Sequence, residues 1–189
     1  DDTRHVLAEV FTVIATQNPV EHHGAYPLPE SQLDRFMVSL NLGYPGREAE
    51  REVLFLPAGP QERLEELNPC LAAGQLAEAQ QCADSVLLSS EVADYTLEIV
   101  EATRRHADII LGASPRSAIA LVAIARARAW LDGRDFVLPD DIKILLPSVL
   151  GHRLILAGTA SGKRHAVNAL LDEILYFHLT KLHHYIIAQ

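Results

Sequence analysis

The sequence predicts a mostly helical fold over residues 46–189, preceded over residues 1–45 by a fragment of α/β structure. Up to Leu42 the apolar residues fall in short β-branched runs, and beyond Gly46 they recur at helical spacing. Between the two patterns, Gly43-Tyr44-Pro45-Gly46 is a cluster of turn residues that marks a boundary.

The run Val10-Phe11-Thr12-Val13-Ile14-Ala15-Thr16 is apolar on both faces, the composition of a strand buried from both sides in a parallel sheet. A second strand is expected from Met37 to Leu42. Two strands cannot cover themselves, so the sheet is expected to be incomplete. Between them, Leu28 to Phe36 predicts a short helix started by Pro29, with Leu33 and Phe36 turned inward and Arg35 near its exposed end.

Helices are then predicted over Arg47 to Leu54, Gln61 to Leu67 and Leu76 to Ala83, with Val86-Leu87-Leu88 as an extended link. Ser90 is expected to cap a helix from Glu91 to about His106, whose apolar face is Val92, Tyr95, Ile99 and Ala102. Ser114-Pro115 supplies a capping hydroxyl and a proline at the first helical position, starting a helix to about Leu131. Pro139-Asp140-Asp141 starts another, with two acids in its first turn. The last helix is predicted from Lys163 to about Tyr176, with room to continue into the tail.

Composition bounds the function. With 49% hydrophobic and 22% charged residues, the 189-residue chain is a folded one with a sizeable core. Its net charge of −9 argues against nucleic acid as main partner, because phosphate neutralisation needs clustered Lys and Arg. Cys70 and Cys82 lack CxxC spacing, which fits a reducing cytoplasm. No run reaches the ~18 apolar residues of a membrane span. The histidines include the pairs His22-His23 and His183-His184 but no HExxH arrangement, so no metal site is expected.

Three residues stand out for chemistry. Asn18 follows a buried strand, at the end where open α/β sheets hold ligands, although Asn18-Pro19 also reads as a plain turn. Arg35 reads either as a solvated surface charge or as a group that reaches a partner. Arg116 lies in the first turn of its helix, where the dipole disfavours a cation unless an anion is near. That anion is either a phosphate or a carboxylate.

Two segments imitate a nucleotide site. Ala157 to Arg164 has the outline of a P-loop, but Ala157 replaces the first glycine and Arg164 replaces the hydroxyl residue that holds magnesium. Ala169-Leu170-Leu171-Asp172-Glu173 resembles a Walker B acid pair but has helical spacing, with Val167, Leu170, Leu171, Ile174 and Leu175 on one stripe.

The string Val13-Ile14-Ala15-Thr16-Gln17-Asn18-Pro19, then Glu21, then Gly24-Ala25-Tyr26-Pro27-Leu28-Pro29-Glu30-Ser31-Gln32-Leu33-Asp34-Arg35-Phe36, resembles the MoxR family of AAA+ ATPases. Gly43-Tyr44-Pro45, Ala102-Thr103-Arg104-Arg105-His106, Gly112-Ala113-Ser114-Pro115-Arg116, Asp132-Gly133-Arg134-Asp135 and Pro139-Asp140-Asp141-Ile142-Lys143 extend the resemblance to about Leu156. It implies a helical lid domain after a fragment of the P-loop core. Carried over by position, it implies Asn18 as the sensor-1 residue, Arg35 as an arginine finger for a neighbouring subunit, and Arg116 as the sensor-2 arginine.

The family further implies ATP and Mg2+ as cofactors, a ring that is expected to be a hexamer, and client proteins that include partners with von Willebrand factor A domains. Its Walker A loop and Walker B acids are expected upstream of Asp1, so the chain alone is expected to be inactive. The alternatives are a free-standing helical interaction module and a P-loop enzyme built around Lys163.

Overall fold

The structure, a computed structural model, describes residues 4–8, 10–17, 28–55, 67–72, 74–158 and 163–187, with side chains of the last helix described from His165 to Phe177. In chain order the helices are α1 (Glu30–Leu33), α2 (Arg47–Leu54), α3 (Gln75–Asp84), α4 (Ser90–Arg105), α5 (Pro115–Leu131), α6 (Pro139–Leu150) and α7 (Lys163–Ile187). Two short strands, β1 (Ile109–Leu111) and β2 (Ile155–Leu156), pair antiparallel, with Ile109 opposite Leu156 and Leu111 opposite Ile155.

The core lies among α4, α5, α6 and α7. Along α4, Val92, Tyr95, Thr96, Ile99, Val100 and Thr103 are buried at helical spacing, close to the predicted face. The buried stripe of α5 is Ser117, Ala120, Leu121, Ala125 and Ala129. Those alanines let α6 approach closely and seat Ile142, Leu146, Val149 and Leu150 against them. Leu121, Ile142, Leu146 and Leu150 are fully buried, each worth about 1.5–3 kcal/mol relative to exposure. Val167, Leu170, Leu171 and Ile174 of α7 close the far side. Asp172 and Glu173 remain exposed, so the acid pair that imitates Walker B is the wet face of an amphipathic helix.

Most predicted helices form close to their expected limits. The cap of α4 is Ser89 rather than Ser90: its side chain accepts from Val92 N–H, and the hydroxyl one residue later already lies inside the helix. Helix α7 continues past Tyr176 to Ile187. The predicted helix from Gln61 to Leu67 lies outside the described residues except for Leu67.

Neither predicted strand of the first third is formed. Residues 10–17 and 37–42 have no strand pairing, and Phe11, Val13, Ile14, Leu40 and Leu42 are exposed. A strand exists only through its ladder partners, and no such partner lies beside either run among the described residues. The strand-like stretch from His152 reduces to Ile155–Leu156, because Arg153 and Leu154 bond back to Leu150 O in a turn. Among the described residues every buried hydrophobic lies between Ala83 and Ile174.

Candidate functional site

The N-terminus of α5 is held by an interlock between two motifs. Thr103 Oγ1 donates to Val100 O at 2.6 Å and accepts from Ala113 N–H at 3.0 Å. Arg104 Nε donates to Ala113 O at 2.8 Å. Gly112 lies so close to α4 that an added Cβ would meet Arg104 Cα at 2.7 Å. The backbone of Gly112-Ala113 is therefore pinned to the end of α4, and the helix start that follows has a fixed position.

Ser114 caps α5. Its hydroxyl accepts from Ser117 N–H at 3.3 Å while Ser117 Oγ accepts from Ser114 N–H at 3.1 Å, a reciprocal capping box with serine in place of the usual Glu or Gln. Ser114 Oγ also donates to Asp34 Oδ1 at 3.3 Å. A carboxylate thus faces the positive end of a 17-residue helix, where an anion is favoured. Arg116, in the first turn, stands 3.6 Å from Asp34 Oδ2. The anion that relieves the dipole conflict at Arg116 is here a carboxylate.

Asp34 meets a second guanidinium. Arg153 Nε lies 3.6 Å from Asp34 Oδ1, and Arg153 Nη2 donates to Phe36 O at 2.8 Å. His152 Nε2 lies 2.9 Å from the same carbonyl. Burial is the main reason that the His152 imidazole is held below its ordinary pKa; Arg153 adds to this, and Phe36 O and Asp34 oppose it. The neutral ring with its proton on Nε2 satisfies Phe36 O. Ser39 N–H donates to Ser148 O at 2.8 Å, so the turn after α1 is fastened to α6 as well.

The second motif pair, Asp132-Gly133-Arg134-Asp135 and Pro139-Asp140-Asp141, is architectural. Arg134 donates from both Nη atoms to Asp141 at 2.7 Å, and Arg128 Nε lies 3.3 Å away. Asp141 Oδ2 accepts from Leu138 N–H at 2.8 Å, capping α6. Burial pushes the Asp141 carboxyl up, but the bonds from Arg134 and Leu138 outweigh it and hold it below the usual range.

Of the residues singled out in the sequence, Arg116 and the turn carrying Arg35 are brought together through Asp34. Arg35 itself is exposed, and Asn18 lies outside the described residues. Asp34, His152 and Arg153 were not singled out. The available signal was the dipeptide His152-Arg153, two basic side chains inside an otherwise apolar stretch. In the P-loop imitation, residues 159–162 and the side chains of Lys163 and Arg164 lie outside the described residues. The preceding strand is an antiparallel edge of two residues, unlike the parallel strand that feeds a P-loop. No group of three or more His, Cys, Asp or Glu that could hold a metal occurs among the described residues. None of their helices is long and apolar enough to cross a membrane.

Residues 101–174 match the AAA lid domain, and residues 1–38 match the ATPase family associated with various cellular activities (AAA). The chain is 36% identical over 174 residues to chaperone MoxR1 of Mycobacterium tuberculosis, covering 87% of this chain and 45% of that one. The chain belongs to the MoxR family of AAA+ ATPases. It is also 43% identical over 172 residues to the uncharacterized protein YeaC of Bacillus subtilis, covering 89% of this chain and 52% of that one. A solved structure from Cytophaga hutchinsonii, described as an ATPase, superposes with a TM-score of 0.68 at 33% identity, covering 85% of this chain and 51% of that one. This MoxR-family chain spans about half the length of the curated relatives it matches. Its mostly helical fold fits a lid that follows a piece of the P-loop core.

Proposed function

We propose that the chain is the sensor-and-lid portion of an ATPase that hydrolyses ATP in a ring, a hexamer in this reading, to remodel or activate client proteins, including partners with von Willebrand factor A domains. Residues 1–45 supply the end of the α/β core and residues 46–189 the lid. The observation that carries the reading is the meeting of Arg116 and the Asp34-Arg35-Phe36 turn at the start of α5. Arg116 is the sensor-2 residue, Arg35 the arginine finger offered to a neighbouring subunit, and Asn18 the sensor-1 residue that orients a water.

The residues fit one part of a nucleotide. Arg116 is 62% exposed in its side chain and held by an ion pair without a hydrogen bond, so its guanidinium can turn to a phosphate. The described residues offer no acid cluster for Mg2+. Bound ATP would supply the phosphoanhydride to be cleaved. Oriented amides and arginines contribute by positioning and by neutralising charge.

The test is Mg-ATP turnover by the intact protein with Arg35→Ala. Loss of an arginine finger lowers kcat by roughly 10³-fold or more while nucleotide binding persists; unchanged turnover removes the assignment. A free-standing helical interaction module is the second reading, favoured by the confinement of the buried hydrophobics among the described residues to the span from Ala83 to Ile174. It requires that deletion of residues 1–45 leave both folding and partner binding intact.

A further inference from the structure

Asp34 stands between two arginines that differ in their surroundings. The Arg116 side chain is 62% exposed, whereas that of Arg153 is 2% exposed. Arg153 Nε and Nη1 are buried without a hydrogen-bond partner among the described residues, so its attachments are the Asp34 ion pair and the bond from Nη2 to Phe36 O. A buried guanidinium that loses its counter-charge is strongly destabilised. Arg153 therefore cannot release Asp34 as Arg116 can. His152 on Phe36 O and Ser148 O on Ser39 N–H extend the same fastening on either side. Arg35 lies between the two clamped residues, itself exposed.

We propose that Arg153 is a positioning residue for Arg35: it clamps Asp34 and Phe36 to the lid, so that Arg35 takes its place from the same rigid unit that carries Arg116. This rests on the reading of Arg35 as an arginine finger. Arg116 is free to exchange Asp34 for a phosphate while Arg153 keeps the clamp closed. A lid movement that follows one subunit's nucleotide is thereby passed to the arginine offered to the next subunit's nucleotide.

The test has two arms. In the 189-residue chain with Arg153→Met, hydrogen exchange at Ser39 and residues 34–36 is expected to speed up on the order of tenfold, with amides of α5 and α6 still protected. In the intact protein, Arg153→Met is expected to lower kcat roughly tenfold or more with KM for ATP changed by less than about twofold, since displacement of a catalytic group costs rate rather than binding. Arg153→Lys should recover part of the loss by keeping the charge without the planar fork. Asp34→Asn, at a half-buried position, should reproduce the kcat loss even if Arg153→Met fails to fold.

Unchanged kcat in Arg153→Met or in Asp34→Asn, in a protein whose turnover is lost with Arg35→Ala, overturns the positioning role and leaves the finger reading standing. Loss of protection throughout α5 and α6, with no kcat loss in Asp34→Asn, overturns it as well. If Arg35→Ala itself leaves turnover unchanged, the finger reading fails and the positioning role falls with it.

Discussion

Arg116 Nη1 stands 3.6 Å from Asp34 Oδ2, close enough for an ion pair and too far for a hydrogen bond. Exposed pairs of this kind contribute little to folding. Arg116→Ala is therefore expected to shift the unfolding free energy of the chain by no more than about 0.5 kcal/mol. In the intact protein the same substitution should lower Mg-ATP turnover by roughly 10²-fold, the usual cost of losing one charge-stabilising donor. Chemical denaturation and steady-state kinetics on one variant separate the two roles; a large loss of stability with full turnover would reverse the assignment.

Asp141 behaves in the opposite way. Its carboxylate is 5% exposed in the side chain and joins Arg134, Arg128 and the Leu138 amide. Removing it takes away a helix cap and the buried one of the two carboxylates that Arg134 and Arg128 share, leaving them the exposed Asp132, so Asp141→Ala is expected to cost about 3 kcal/mol of stability. Urea unfolding checks this, and a loss within experimental error would show that the cluster is decorative.

The approach of Gly112 to α4 allows no side chain. A Cβ there would fall 2.7 to 2.8 Å from backbone atoms of Thr103 and Arg104, which cannot yield as a flexible side chain can. Gly112→Ala is expected to destabilise by about 1–3 kcal/mol. Thr103→Val keeps the volume but leaves the Ala113 N–H without its acceptor, at about 1–3 kcal/mol. Both variants should displace the start of α5, which chemical shifts of Ser114 and Arg116 would report.

His152 predicts a pH dependence. Its native pKa is lowered, chiefly by burial, from an ordinary value near 6.5. Above that value the ring is neutral in both folded and unfolded chains, and its contribution is fully present. As pH falls below it, the unfolded chain takes up the proton first, so stability declines until the native pKa is reached. Wild type should lose denaturation midpoint as pH falls below about 6.5, and His152→Gln should lose less. Equal pH slopes would remove His152 from the account.

The helical part was legible because its signals are local. Ser114-Pro115 and Pro139-Asp140-Asp141 announce helix starts through capping chemistry that depends on neighbours in sequence, and both helices begin there. The face of α4 followed from its period. The expected strands at 10–16 and 37–42 do not form here because β-branched composition reports suitability for a sheet, whereas a ladder needs partners that these runs do not have among the described residues. The clamp of Arg153 on Asp34 and Phe36 spans more than a hundred residues, so no spacing rule reaches it. Arg116 was legible as a conflict with its helix dipole, but the sequence could not choose between phosphate and carboxylate.

The most direct test of the central claim is calorimetric titration of the 189-residue chain with Mg-ATP, alongside its Lys163→Ala and Arg116→Ala variants. A sensor-and-lid portion should show very weak or absent binding that is indifferent to Lys163. Tight, saturable binding abolished by Lys163→Ala would contradict the account and make the loop before α7 a working phosphate cradle.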